Sequence, residues 1–154
     1  MKRILKKYKI ENLLIMGIII SLLLVISCVK EKDHSTNTNL SSQDTIFQQI
    51  NPQEAYELIQ SHQDDPDFMI IDVRTPGEYE EGHIGDAVNI NYYSDTFRDQ
   101  LDQLDKDKIY LIYCHSGSRS GAAFEIMKEL EFKEVYDMQG GITQWINEGF
   151  PVVY

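Results

Sequence analysis

One cysteine in this chain sits at a junction suited to nucleophilic chemistry. Cys114 follows the apolar run Ile109–Tyr113 and precedes a stretch, residues 116–121, made of small or polar residues apart from Arg119. A helical pattern starts directly after it. A loop that leads into a helix offers backbone N–H groups without helical partners, at the positive end of the helix dipole. If Cys114-His115-Ser116-Gly117-Ser118-Arg119 curls into a cup, those N–H groups converge on the sulfur. They then stabilise a thiolate, lower its pKa and make it a nucleophile near neutral pH. The same donors hold an anionic substrate. Gly117 permits a backbone turn that most residues cannot make. Ser116 and Ser118 keep the cup open and add hydroxyl donors. Arg119 adds a fixed positive charge and a fork of donors for an oxyanion.

Other residues have structural readings beside chemical ones. Cys114 as an inert buried thiol is the bland alternative. His115 reads as a side chain at the cup mouth, with general-base catalysis as the rival role. Asp72, at the end of an apolar run, reads as an acceptor for loop N–H groups. Arg74 and Glu78, four residues apart at the start of a helical turn, are expected to form an ion pair that orders their loop. His83 reads as a loop-ordering residue. Tyr92 and Tyr93 read as wall or surface, and Trp145 as the anchor of the last helix on the core. No pair among His83, His115 and Cys114 has zinc-ligand spacing, so no metal site is expected.

The elements that must position the cup come from hydrophobic periodicity. Strands are expected at residues 46–50, 68–73, 87–90, 108–113 and 134–138. Helices are expected from Asn51-Pro52 onward, at 95–104, at 120–130 and at 142–148. Asn51 serves as cap and Pro52 lies in the first turn. Ala123, Ile126, Met127 and Leu130 give the segment 120–130 one apolar face. Strands apolar on both faces and separated by helices imply a mostly parallel sheet covered on both sides. Sites in such sheets lie at the carboxyl ends of strands, where Cys114 stands.

The N-terminal part reads as a leader. Lys2, Arg3, Lys6, Lys7 and Lys9 precede a run, residues 13–27, that is almost wholly apolar. This is the pattern of a secretory signal over residues 1–27. Val25-Ile26-Ser27-Cys28 resembles the bacterial lipobox, which implies that Cys28 is lipidated and begins the mature chain. An uncleaved membrane anchor is the rival reading, since residues 13–29 approach a spanning length. Lipid labelling of a Cys28→Ala chain separates the two. Either way the basic head stays inside and the domain is exported, on the outer side of the membrane at the cell envelope. Residues 28–44 are polar and aperiodic and read as a flexible tether, leaving 45–154 as the folded domain. Loss of the leader removes five basic residues and one acidic residue, leaving nine against 24, a net of −15. Such a surface excludes nucleic acid as a partner. With Cys28 lipidated, Cys114 has no disulfide partner within the chain.

Four stretches carry a family resemblance. Cys114-x-x-Gly117-x-Arg119-Ser120 resembles the active-site loop of the rhodanese family of sulfurtransferases. Residues 71–79 (IDVRTPGEY) with Gly82-His83-Ile84 resemble its first block, and residues 87–90 the strand after it. Gly140-Gly141, Trp145, Gly149 and Pro151 resemble its C-terminal signature. The resemblance covers about residues 46–154, in family order. It implies an α/β fold with a central, mostly parallel sheet of about five strands and helices on both faces. It also implies a mechanism without cofactor or metal. Thiolate Cys114 takes the outer sulfur of a small sulfur-containing anion such as thiosulfate, sulfite leaves, and a thiol or cyanide accepts the sulfur from the Cys114 persulfide. Residues 115–119 then form the substrate loop. Gly85-Asp86 depart from the family pattern, which usually has Pro and a small residue there. A module that carries sulfur without turnover, or only binds a partner, is the alternative. Cysteine phosphatases and arsenate reductases also pair a cysteine with an arginine, but with five residues between them. Here four intervene, and a smaller cup suits a persulfide sulfur rather than a tetrahedral phosphate.

Overall fold

The computed structural model describes residues 45–154; the expected leader, the tether and Cys28 lie outside the described residues. Strands β1 (Ile46–Ile50), β2 (Phe68–Asp72), β3 (Val88–Asn89), β4 (Ile109–Tyr113) and β5 (Glu134–Met138) form one sheet. Its order is β1-β5-β4-β2-β3, and every neighbouring pair is parallel. Between the strands run α1 (Pro52–Ser61), α2 (Pro76–Glu80), α3 (Phe97–Asp102) and α4 (Ser118–Glu129), and α5 (Gly141–Asn147) follows β5.

β4 lies in the middle of this sheet, and Tyr110, Leu111, Ile112 and Tyr113 are all fully buried. Alternate residues point to opposite faces. Ile112 and Cys114 join Ala123, Phe124 and Met127 of α4 with Phe97 and Leu101 of α3. Leu111 and Tyr113 join Ala55 of α1 with Ile142 and Trp145 of α5. Two apolar layers therefore sandwich a strand that is apolar on both sides, which is why its sequence shows no alternation. Trp145 anchors α5, fully buried with its indole N–H donating to the Pro151 carbonyl at 2.9 Å.

Strand order reverses beside β4. The chain leaving β2 returns to the sheet on one side, as β3, and the chain leaving β4 returns on the other, as β5. The two connections part company at the carboxyl ends of β2 and β4, which opens a crevice there. Cys114 is the first residue past β4.

Element ends differ from expectation where local chemistry intervenes. Asn51 caps α1 in a full capping box with Glu54, as its sequence indicates. β3 is two residues long, not four, because a turn with Ala87 N–H on the Ile84 carbonyl (3.1 Å) delays its start. Within that turn Asp86 takes φ +62°, left-handed geometry that Asp tolerates better than most residues. α3 is shorter at both ends than the expected 95–104: residues 94–97 form a turn with Phe97 N–H on the Ser94 carbonyl, and residues 101–104 form another with Leu104 N–H on the Leu101 carbonyl, each at 3.0 Å. α4 begins at Ser118, two residues earlier than expected, because Gly117 takes the cap position at φ +102°.

Candidate active site

Cys114 stands at the floor of the loop with 1 % of its surface exposed, while His115, Ser116 and Ser118 form an exposed rim. The Gly117 N–H donates to its sulfur at 3.1 Å. Gly117 is the residue that makes this turn possible. Its φ of +102° is strained for a residue with a side chain, and it directs the N–H back toward β4. Burial alone would push the Cys114 thiol up. It is outweighed by the Ser120 N–H and hydroxyl and by the N–H groups of Ser116 and Gly117, which bring the pKa below the ordinary thiol value. The sulfur is thus covered, yet main-chain donors face it, and the thiolate is the form they favour.

A second helix start holds the loop from beneath. The Ile142 N–H donates to the Cys114 carbonyl at 2.8 Å and the Thr143 N–H to the His115 carbonyl at 3.1 Å. The Thr143 hydroxyl adds a bond to the same His115 carbonyl at 2.8 Å. Gly140 and Gly141, both at positive φ, allow α5 to start against the loop's backbone. From sequence, Gly140-Gly141 reads as a chain break and part of a signature. Its contact with residues 114 and 115 becomes visible only in three dimensions.

The charged residues pair differently from expectation. Arg74 does not meet Glu78. Thr75 caps α2, so Arg74 lies outside the helix, and spacing by four aligns side chains only when both residues are helical. Arg74, almost fully buried, instead makes a bidentate pair with buried Asp72, its Nε at 3.0 and 2.8 Å and its Nη2 at 2.7 Å. Asp72 also accepts the Arg74 backbone N–H at 2.9 Å, and the guanidinium reaches the Gly82 carbonyl at 2.7 Å. This buried pair ties the end of β2 to the loop after α2. Neither partner can be lost singly without stranding a charge.

Glu78 turns to the loop after β4. Arg119 grips it with both terminal nitrogens, each at 2.7 Å, and Thr75 donates its hydroxyl at 2.8 Å. Arg119 holds the Glu78 carboxyl well below the usual carboxylate range, against a smaller opposing effect of burial. The fork of Arg119, expected to face an oxyanion, is therefore committed to Glu78. It works as a brace between the first turn of α4 and α2. The exposed ring of Tyr93 lies 5.6 Å from the same guanidinium. His83 stacks on Tyr79 at 3.7 Å, with its Nδ1 3.1 Å from the Tyr79 carbonyl, and its backbone bridges Val153. These contacts order the loop that follows α2. Two residues with no sequence-level reading lie beside the loop and the first turn of α4: Thr143 on the His115 carbonyl, and Asp137 against Gly121.

Comparison with known proteins agrees with this geometry. The family profile described as Rhodanese-like domain matches residues 51–148. A protein named sulfurtransferase from Allochromatium vinosum is 32% identical over 104 residues, spanning 68% of this chain and 95% of that one. A tRNA uridine(34) hydroxylase from Sodalis glossinidius is 37% identical over 108 residues, 64% of this chain but 30% of that protein. The chain thus spans less than a third of the hydroxylase. Among solved structures, a rhodanese-related protein from Thermoplasma volcanium is 36% identical, with a TM-score of 0.60 over 70% of this chain and 98% of its own. A rhodanese-like domain protein from Staphylococcus aureus is 29% identical, with a TM-score of 0.57 over 70% of this chain and 99% of its own. Fold, loop and profile coincide on the same residues, and the chain belongs to the family of rhodanese-like domains.

Proposed function

We propose that this domain is a sulfurtransferase that moves a sulfane sulfur from thiosulfate, or a persulfide donor, through a Cys114 persulfide to a thiol or cyanide. One observation carries the reading: the Gly117 N–H points at the Cys114 sulfur where β4 gives way to α4. In the first step the Cys114 thiolate attacks the outer sulfur of thiosulfate. A Cys114–sulfur bond forms, the sulfur–sulfur bond of thiosulfate breaks, and sulfite leaves with that electron pair. The terminal persulfide sulfur then carries the negative charge, within reach of the loop's donors. In the second step cyanide or a thiolate attacks that terminal sulfur, and Cys114 departs as a thiolate. Two covalent half-reactions give ping-pong kinetics. The relative named sulfurtransferase matches along nearly its whole length, which supports the general reaction class.

Residues 45–154 hold all five strands and both apolar layers, so the test uses this domain alone. With thiosulfate and cyanide it should form thiocyanate over many turnovers. With thiosulfate alone, mass spectrometry should find one added sulfur on Cys114. Loading without turnover would make the domain a carrier. Hydrolysis of phosphate esters without loading would make it a phosphatase. The basic head, apolar run and Cys28 support the further proposal that the domain works outside the cytoplasm, tethered by lipid to the cell envelope.

The paired charges sharpen an electrostatic expectation. Arg119 is neutralised by Glu78. Lys106 and Lys108, at the other end of β4, are bound to the carbonyls of Leu101, Asp102 and Pro66. An anionic donor therefore meets a strongly acidic surface, with attraction supplied only by local N–H groups. Salt screens the distant repulsion over about 8–10 Å and the short hydrogen bonds far less. The kcat/KM for thiosulfate should rise between low and physiological salt. A steady fall would place a positive field at the mouth of the cup and contradict this account.

A further inference from the structure

One aromatic ring beside the cup has no part in the sulfur-transfer scheme. The segment after β3 continues the sheet's hydrogen bonding past the strand ends. The Ile90 N–H donates to the Asp72 carbonyl at 3.0 Å and the Tyr92 N–H to the Val73 carbonyl at 3.1 Å. The Val73 N–H donates in turn to the Tyr113 carbonyl at 3.0 Å. Tyr92 therefore lies two chain spacings, about 10 Å, from the end of β4. Cys114 and Val73 belong to one apolar layer, and the half-buried Tyr92 packs against it, its ring 5.2 Å from Phe97. Tyr93 shares a turn with Tyr92, closed by the Ser94 N–H on the Asn91 carbonyl at 3.0 Å. The Tyr93 N–H donates to Asn91 Oδ1 at 3.1 Å. Unlike Tyr92, Tyr93 is turned out of the layer, with 66 % of its surface exposed.

Two neighbours hold this exposed ring in place. The guanidinium of Arg119, a residue of the cup, lies over it, 5.6 Å from its centre, and Tyr92 meets it nearly at right angles at 5.5 Å. Arg119 does not need the ring, since Glu78 takes both its terminal nitrogens. A side chain so exposed also adds little to the core. A fixed aromatic surface can instead receive a ligand, because little freedom remains to be lost when something stacks on it. The chemistry of the ring narrows what that ligand is. An aromatic face is electronegative and repels a sulfur anion such as thiosulfate. The place of a cation over the ring is taken by Arg119. Cyanide, two atoms long, has nothing to stack. An uncharged apolar body gains from the contact, and an organic thiol acceptor carries one. The same holds in reverse for a persulfide donor built on that thiol.

We propose that Tyr93 is a specificity-determining residue of the acceptor half-reaction: its ring receives the uncharged, apolar body of an organic thiol while the thiolate sulfur attacks the Cys114 persulfide. A bond forms between the acceptor's sulfur and the terminal persulfide sulfur. The bond from that sulfur to Cys114 breaks, and its electron pair leaves with Cys114 as a thiolate. The acceptor departs as a persulfide. Tyr93 touches the acceptor's body and no reacting atom. The inference rests on the Cys114 persulfide of the proposed function.

The test uses the full chain, and its first arm does not depend on sulfur transfer. Cys114 is alkylated with iodoacetamide and with N-benzyl iodoacetamide, which share a leaving group and differ by an apolar ring. The ratio of the benzyl rate to the parent rate should fall about three- to tenfold in Tyr93→Ala, the scale of one aromatic contact. In Tyr93→Phe, which keeps the ring, it should hold within about twofold. In the second arm, with thiosulfate as donor, kcat/KM is measured for benzyl mercaptan and for 2-mercaptoethanol. In a ping-pong scheme these values report the acceptor half-reaction alone. Their ratio should fall by the same factor in Tyr93→Ala and hold in Tyr93→Phe. A merely structural role would move both members of a pair together, so an unmoved ratio in either arm of Tyr93→Ala would overturn the proposal. So would an equal fall in Tyr93→Phe, which would assign the effect to the hydroxyl. The expected alkylation ratios in a protein that transfers no sulfur would uphold Tyr93 as a recognition surface and refute the sulfurtransferase reading instead.

Discussion

Serine in place of Cys114 is expected to leave the domain folded and to lower thiosulfate turnover by about 10³-fold or more. The two side chains differ by one atom, and that atom decides the chemistry. An alcohol stays protonated near neutral pH, whereas this thiol is already biased toward its anion by the donors around it. No persulfide can form on oxygen. The fold has less at stake, since a serine oxygen can accept the Gly117 N–H in place of the sulfur. A stability change within about 1 kcal/mol is expected, because one donor–acceptor pair is kept and little apolar area is lost. Thiocyanate formation measures the first effect and a thermal melt the second. Turnover within tenfold of the unsubstituted protein would show that the nucleophile lies elsewhere.

Gly141→Ala should damage both stability and activity without touching a reacting atom. Gly141 has φ +56°, and a left-handed conformation costs a residue with a side chain about 1–2 kcal/mol. The new methyl group would also press on the Cys114 carbonyl oxygen and lie 2.6 and 2.7 Å from the His115 carbonyl carbon and oxygen. Those are backbone atoms and cannot swing aside, so relief requires the loop or α5 to move. Overpacking of this kind costs about 1–3 kcal/mol. The two effects together should lower the melting temperature by on the order of 10 °C. The loop that moves is the one that holds the sulfur. A displacement of about 1 Å there would cost about 10²-fold in kcat/KM. Gly77→Ala is the control: nothing lies within 4 Å of the added methyl and the backbone is ordinary, so both measurements should stay close to the unsubstituted protein. A Gly141→Ala protein with normal melting and normal turnover would mean that α5 does not fix the loop.

These expectations depend on features that the sequence discloses unequally. β4 is readable because five consecutive residues are apolar and a Gly/Ser stretch ends them, and the cup is readable because a lone cysteine stands there. α1 is readable from Asn51, Pro52 and Glu54, which act within one turn. Partners across the fold are another matter. Arg119 and Glu78 lie 41 residues apart, and nothing local links them. Spacing by four suggests Arg74 for Glu78 instead, and fails because the helix begins after Arg74. Asp137 alternates with buried neighbours in Glu-Val-Tyr-Asp-Met, and a strand places it on the face of Val135. That face is buried under α4, which nothing local to the strand signals. Periodicity assigns an element and a face; which side chains then touch is set by packing between elements far apart in the chain.

The sheet's wiring bears on how the domain comes into being. Among the described residues β1 pairs only with β5, Ile46 beside Glu134 through Ile50 beside Met138, so this strand finds its place there only when β5 exists. A growing polypeptide cannot settle this sheet piece by piece from its beginning. Contacts so remote along the chain slow the search, and an unpaired leading edge invites pairing with the wrong chain in the meantime. Any fragment ending before Glu134 would lack β5 and leave β4 with a bare flank beside its cysteine.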